Sequence, residues 1–272
     1  MRRRWLLILV TALLVAGCGS SSGGDATTTQ TATATTSTTV ESTDLERLPQ
    51  VPEPAAPPPS TAAAGSRDAF LRAVFDDVQA MWKADFREAG LTYRPERLTI
   101  FQSAVDTACG TQPAAVGPFY CPADAGVYLD TRFFAALSAH VGVEIGDFAQ
   151  AYVIAHEVGH HVQVLTGVSQ AVAAADQQDP AGVNARSVRV ELQADCLAGV
   201  WAHTAYRRGD LSEDDFRDAL RAAAVIGDDF AQRRTTGTIK PEDWTHGSSA
   251  QRQHWLTTGF QEGQPAACDT FT

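Results

Sequence analysis

The stretch His156-Glu157-Val158-Gly159-His160 sets two imidazoles four residues apart with a carboxylate beside the first. On an α-helix, positions i and i+4 share a face, so both rings can point at one metal ion. The adjacent Glu157 can then reach a metal-bound water, which is the chemistry of hydrolysis. The competing reading is a surface helix that happens to carry two histidines. Its surroundings oppose that reading, because Ala151 to Ala155 and Val162 to Leu165 are mostly apolar. Burying two histidines and a glutamate there without partners would be costly. Gly159 costs about 1 kcal/mol of helix propensity relative to Ala. A close approach of another backbone or helix would compensate for that cost.

A catalytic zinc takes three protein ligands and keeps a fourth position open. Arg189-Val190-Glu191-Leu192-Gln193-Ala194-Asp195 offers the third ligand on a second long helix. Glu191 and Asp195 are i and i+4, so Glu191 can bind the metal while Asp195 accepts a hydrogen bond from a ligating histidine. A solvated helix carboxylate is the alternative for Glu191. Two His and one Glu favour Zn2+ among divalent ions. Glu157 is then the expected general base. The developing oxyanion needs a further donor. His246, in a Gly/Ser loop, is the first candidate, with Tyr152 or Tyr206 behind it; a helix-capping or merely exposed histidine is the alternative. His161 lies about 100° further round the helix and should miss the metal. His140, His203 and His254 lack metal spacing, so structural or surface roles are expected.

These residues need elements to hold them. Ser66 can cap a helix bearing Leu71, Val74, Phe75, Val78, Trp82 and Phe86 on one face, ended by Gly90. Leu98 to Val105 reads as a strand. Gly117 to Cys121 and Val127 to Asp130 read as two short strands around Pro122 to Gly126. Asp130-Thr131 starts a helix, Phe148 to Thr166 and Ser187 to Arg208 form two long ones, and Ser212 begins the last clear helix with a capping box to Asp215. The balance is mostly helical with a small sheet, an α+β fold.

The chain has 272 residues, 44% of them hydrophobic, and a formal net charge of −11. That suffices for one domain or at most two with a real core. No apolar run reaches 18 residues, which excludes an ordinary transmembrane bundle. A pI near 5.0 excludes the basic footprint of a nucleic-acid binder. The acidic excess mainly favours solubility.

Arg2 to Arg4 followed by Trp5 to Val15 reads as an export signal over residues 1–17. Its end, Val15-Ala16-Gly17-Cys18, resembles a bacterial lipobox, which would make Cys18 the lipidated anchor. An ordinary signal with an incidental cysteine, or an uncleaved anchor, is the alternative. Residues 18–65 are rich in Thr, Ser and Pro and are expected to form a disordered tether spanning about 40 Å. The folded domain is expected over 66–272. Cys109, Cys121, Cys196 and Cys268 form an even set, which outside the cytoplasm favours disulfides. Of three possible pairings, Cys109 with Cys121 and Cys196 with Cys268 is preferred. A four-cysteine zinc site competes, although no CxxC spacing supports it.

The segments His156 to Gln163, Glu191 to Cys196, Gly117 to Pro122, His246 to Arg252 and Cys268 to Phe271 together resemble the bacterial putative neutral zinc metallopeptidase family. The resemblance covers about residues 70–272. It implies a zincin-like domain with a small sheet and two central helices carrying the zinc ligands, and it implies hydrolysis of peptide bonds in protein or peptide substrates. By fold-level analogy with zincins, Val127 to Asp130 is expected to be an edge strand that pairs with an extended substrate. With the signal and anchor, the expectation is an extracytoplasmic, membrane-anchored lipoprotein with peptidase activity. Two rivals stay open: a non-hydrolytic zinc-containing envelope lipoprotein acting as a chaperone or binding module, and an amidase of cell-wall peptides. The intact Glu157 speaks against the first, since a purely structural site needs no general base.

Overall fold

A computed structural model describes residues 44–49, 65–113, 116–142 and 145–272. The expected signal, Cys18 and most of the expected tether lie outside the described residues. The exception is informative. Leu45 and Leu48, within and just after a 3-10 turn at Leu45–Arg47, are 1% and 3% exposed and belong to the main core. A uniformly disordered segment 18–65 is therefore corrected at this point. Two leucines three residues apart supply enough apolar surface to dock a short piece of an otherwise polar stretch.

Helix α1, Arg67–Glu88, starts where expected, with the Ser66 side chain accepting from the Ala69 N–H at 3.2 Å. Leu71, Val74, Phe75, Val78, Trp82 and Phe86 line its buried face. Five strands follow: β1 Arg97–Phe101, β2 Val105–Thr107, β3 Gly110–Gln112, β4 Phe119–Cys121 and β5 Gly126–Asp130. Strands β2 and β3 form a separate hairpin, whereas the main sheet has the order β1-β5-β4. β5 runs parallel to β1 and antiparallel to β4. Two expectations change here. Leu98 to Val105 is not one strand, because the chain bends between β1 and β2. Nor is Val127 to Asp130 an edge, since β5 is the middle strand and all five of its residues are buried. The edge on the β4 side is β4 itself.

The remainder is helical: α2 Arg132–Val141, α3 Asp147–Leu165, α4 Val168–Gln178, α5 Val183–Arg207, α6 Glu213–Ile226, α7 Asp228–Thr235 and α8 Ser249–Glu262. The capping box of Ser212 and Asp215 forms as expected. The helix it opens is not the last, however, for α7 and α8 follow, and α5 begins at Val183 rather than Ser187. α3 and α5 are the central pair. Along α3 nearly every residue from Ala149 to Gln163 is buried, including His156, Glu157 and His161. α5 is equally enclosed from Leu192 to Ala202.

Two helix crossings bring backbones close together at glycines. A Cβ on Gly159 would stand 3.1 Å from the Ala194 carbonyl oxygen and 3.2 Å from its Cα. This close approach is the compensation for the helix propensity that Gly159 gives up. Where α5 meets α8, a Cβ on Gly199 would overlap the Leu256 carbonyl and one on Gly259 would overlap the Cys196 carbonyl. The disulfides Cys109–Cys121 and Cys196–Cys268 form the preferred pairing. The first ties the β2–β3 hairpin to β4, and the second ties α5 to the 3-10 turn Pro265–Cys268. No helix among the described residues is long and apolar enough to cross a membrane.

Candidate active site

The α3–α5 crossing brings three side chains to one point. His156 Nε2 lies 3.2 Å from Glu191 Oε2, and His160 Nε2 lies 3.5 Å from Glu191 Oε1. One ligand atom from each of the three residues falls within 4.8 Å of the others. A tetrahedral zinc with ligand distances of 2.0–2.1 Å spaces its ligands about 3.3 Å apart. The two nitrogen–oxygen separations therefore suit a zinc-sized ion with little rearrangement. Electrostatics agrees. Burial would push the Glu191 carboxyl up, but His160, His156 and Arg252 hold it well below the usual carboxylate range. Burial likewise opposes a charge on His156, yet Asp195 and Glu191 raise its pKa to about 10. The imidazoles and carboxylates of the cluster stabilise one another's charged forms.

Asp195 sits behind His156, with Oδ1 2.8 Å from Nδ1. That contact leaves Nε2 facing Glu191. The carboxylate is fully buried but not alone. Tyr152 donates its hydroxyl proton to Oδ1 at 2.6 Å, and Arg252 donates Nε to Oδ2 at 2.7 Å and a terminal nitrogen to Oδ1 at 2.8 Å. Against burial, Arg252 and His156 hold the Asp195 carboxyl down at about 2. Arg252 comes from α8, 57 residues beyond Asp195. Its role had no local signature in the sequence, because an arginine on a helix reads as solvated until its partner is known.

Glu157 opens into the same cleft, a cavity of about 340 Å³ whose walls include His156, His160, Glu191, His246 and Arg252. Burial pushes its pKa up, and the two histidines only partly offset this. Phe119 and Tyr120 on β4, together with Pro118, Val116, Phe133, Val153 and Ile226, give the cleft an apolar wall.

His246 lines the cleft from the loop before α8. Its partner is Asp228, the first residue of α7. Asp228 Oδ2 accepts the backbone N–H groups of Thr245, His246 and Gly247 at 2.8, 2.7 and 3.0 Å, while Oδ1 lies 3.3 Å from His246 Nδ1. The hydrogen bond to Asp228 raises the His246 pKa. Of the two tyrosines considered beside it, Tyr152 reaches the cleft but commits its proton to Asp195. Tyr206 does not line the cleft, being largely exposed near the end of α5 with its ring against Phe260. His161 points away from the cluster: its Nδ1 meets the Tyr120 hydroxyl at 2.8 Å, and its Nε2 lies 3.2 Å from Glu96. His203 bonds the Phe260 carbonyl at 2.7 Å.

A comparison with protein families matches residues 11–271 to the one described as "Putative neutral zinc metallopeptidase". The chain belongs to this family. It is 44% identical over 203 residues to the uncharacterized protein YpfJ of Escherichia coli (strain K12), covering 74% of this chain and 70% of that one. It is 47% identical over 207 residues to the uncharacterized protein Rv2575 of Mycobacterium tuberculosis (strain ATCC 25618 / H37Rv), covering 72% and 68%. No solved structure matches the chain. As the family's description names zinc and a peptidase, the cluster of His156, His160 and Glu191 is the place in the described residues where such a metal could sit.

Proposed function

We propose that this member of the zinc metallopeptidase family is an exported, membrane-tethered peptidase with a zincin-like domain, cutting peptide bonds of protein or peptide substrates. The observation that carries the reading is the convergence of His156, His160 and Glu191 at a cleft into which Glu157 also opens. His156, His160 and Glu191 would hold the zinc. When bound, zinc supplies a Lewis acid that polarises the scissile carbonyl and lowers the pKa of water toward 7. Glu157 takes a proton from the attacking water on its carboxylate and passes it to the leaving amine. Its raised pKa brings the carboxyl nearer to the value at which a group both accepts and returns a proton. His246, held at Nδ1 by Asp228, offers Nε2 as a donor to the carbonyl oxygen as negative charge develops. Asp195, Arg252 and Tyr152 hold the His156 ring in place.

The exported location and the anchor rest on the sequence of residues 1–65. The reading assigns residues 1–17 as a signal, Cys18 as the lipidated residue and 18–65 as a tether, of which Leu45 and Leu48 pack into the main core. The domain spans 66–272.

The deciding experiment measures metal content and casein cleavage for the full chain and for Glu157→Gln. One zinc per chain in both, with cleavage only by the parent, supports the assignment. Absence of zinc from the parent, or equal cleavage by the two proteins, would overturn it.

A further inference from the structure

The two candidate imidazole ligands are supported from behind in different ways. His156 leans on a carboxylate, whereas His160 leans on a chain of neutral amides. His160 Nδ1 lies 2.9 Å from Gln163 Oε1. An amide oxygen can only accept, so the imidazole donates from Nδ1, and Nε2, on the side of Glu191, is the nitrogen left for a metal. The Gln163 amide nitrogen in turn donates to the Val190 carbonyl at 2.8 Å and to Gln193 Oε1 at 3.0 Å. Val190 O belongs to the peptide plane immediately before Glu191. One side chain thus touches one ligand and the backbone that carries another.

The chain continues. Gln193 Nε2 donates to the Cys268 carbonyl at 3.0 Å. Cys268 is bonded to Cys196 on α5, and the residues after it are fastened to the same helix. Thr270 Oγ1 donates to the Arg189 carbonyl at 2.7 Å, and Arg189 donates to the Phe271 carbonyl at 2.8 Å. Phe271 itself packs against Val168, Val172 and Ala175. The far end of the amide chain is therefore fixed.

Two features make the chain directional. Gln163 and Gln193 are 1% and 0% exposed, so water cannot replace a lost partner. Turning the Gln163 amide over would set its oxygen against two acceptors, the Val190 carbonyl and Gln193 Oε1. The orientation is thus imposed by its neighbours.

We propose that Gln163 and Gln193 are positioning residues for the metal centre. Anchored at the Cys268 carbonyl, they select the Nδ1–H form of His160, aim its Nε2, and set its register against Glu191. The proposal rests on the metal-site reading above, but not on the protein's being a peptidase.

The test uses the full chain with Gln163→Leu, Gln193→Met and Gln163→Glu, which keeps an oxygen acceptor for His160 but loses the amide donor to Val190 and Gln193. Gln253→Leu is the control: it removes a side-chain hydrogen bond to the Leu220 carbonyl, away from this chain of amides. Two quantities are read: the His160 tautomer by long-range proton–nitrogen NMR of the metal-free protein, and zinc affinity by competition with a chelator. Loss of a group supporting a metal ligand typically costs about 10–100-fold in affinity. Gln163→Leu should fall in that range and lose the Nδ1–H preference. Gln193→Met, one residue further back, should lose less, about 3–10-fold on the same scale. Gln163→Glu should keep the tautomer, and the control should match the parent.

A folded Gln163→Leu with the parent's tautomer and affinity would overturn the proposal. Should that variant fail to fold, an unchanged affinity in Gln193→Met would do the same. A parent that binds no zinc would instead overturn the metal site, and the tautomer measurement would still decide whether the amides hold His160.

Discussion

Replacing Gly159 by alanine sets two effects of opposite sign against each other. The first is helix propensity: alanine in a helix interior is better than glycine by about 1 kcal/mol. The second is space. The new methyl would stand 3.1 Å from the Ala194 carbonyl oxygen and 3.2 Å from Ala194 Cα, both in the middle of α5. Neither atom belongs to a side chain that could swing aside, so α3 and α5 must separate by a few tenths of an ångström. Overpacking of this kind costs about 1–3 kcal/mol. The crossing should win, leaving a net loss of about 1 kcal/mol. In a domain of this size that lowers the melting temperature by about 2–4 °C. The separation also moves Glu191 away from the two histidines, so zinc affinity should fall several-fold while a distant stabilising mutation would leave it alone. Thermal melting and chelator competition on the same preparation read both effects. Ala194→Gly added to Gly159→Ala should rescue little, because the nearest obstructions are backbone atoms. A variant more stable than the parent by about 1 kcal/mol, with unchanged zinc affinity, would refute the argument and leave only the propensity term.

Other expectations follow from buried charge. Asp85 is fully buried, both its carboxylate oxygens lack a hydrogen-bond partner among the described residues, and burial followed by the nearby Glu88 raises its pKa from 3.8 to about 7. The folded state then binds more protons than the unfolded state between those values, so stability falls as pH rises through that window. Asp85→Asn should flatten this slope and gain on the parent as pH rises, by a few kcal/mol at most; urea titrations showing parallel pH profiles would contradict it. Asp195→Ala should destabilise by about 3–5 kcal/mol, because it strands the buried Arg252. Adding Arg252→Met should recover much of that stability without restoring zinc affinity, and a double variant no more stable than Asp195→Ala would count against the pairing. Cys18→Ser should release the protein from membranes on fractionation, and unchanged attachment would argue against a lipid anchor there.

The candidate site was legible where its chemistry is local and obscure where it is tertiary. His156, Glu157 and His160 lie within five residues, and Glu191 and Asp195 within five more, so helical periodicity alone puts each set on one face. Arg252 and Asp228 act across the fold, and nothing near them in the chain announces a partner. The helices divide the same way. Ser66 and Ser212 announce theirs through side-chain caps, and α1 through its apolar stripe. α8 shows a faint stripe because it packs through Gly259 rather than through a row of large side chains, and α7 is almost wholly polar. For the sheet, the buried Gly126-Val127-Tyr128-Leu129-Asp130 lacks the alternation of a half-exposed strand, which is the mark of a strand covered on both faces. Its parallel pairing with β1, which makes it the middle strand, depends on residues far upstream that no local pattern in Val127 to Asp130 reports. Leu45 and Leu48 were hidden by averaging over a Thr- and Pro-rich stretch.

The backbone-to-backbone contact between α5 and α8 bears on how this domain could be engineered. Substituting alanine for helical glycine is an ordinary route to a sturdier protein. At Gly199 and Gly259 it would drive a methyl into the opposing chain. In a library scored for activity, these two positions should be as intolerant as the residues of the cleft, although neither lines it. A map of tolerance would therefore trace the seam between α5 and α8, where Asp195 and Arg252 meet, as sharply as the cleft itself.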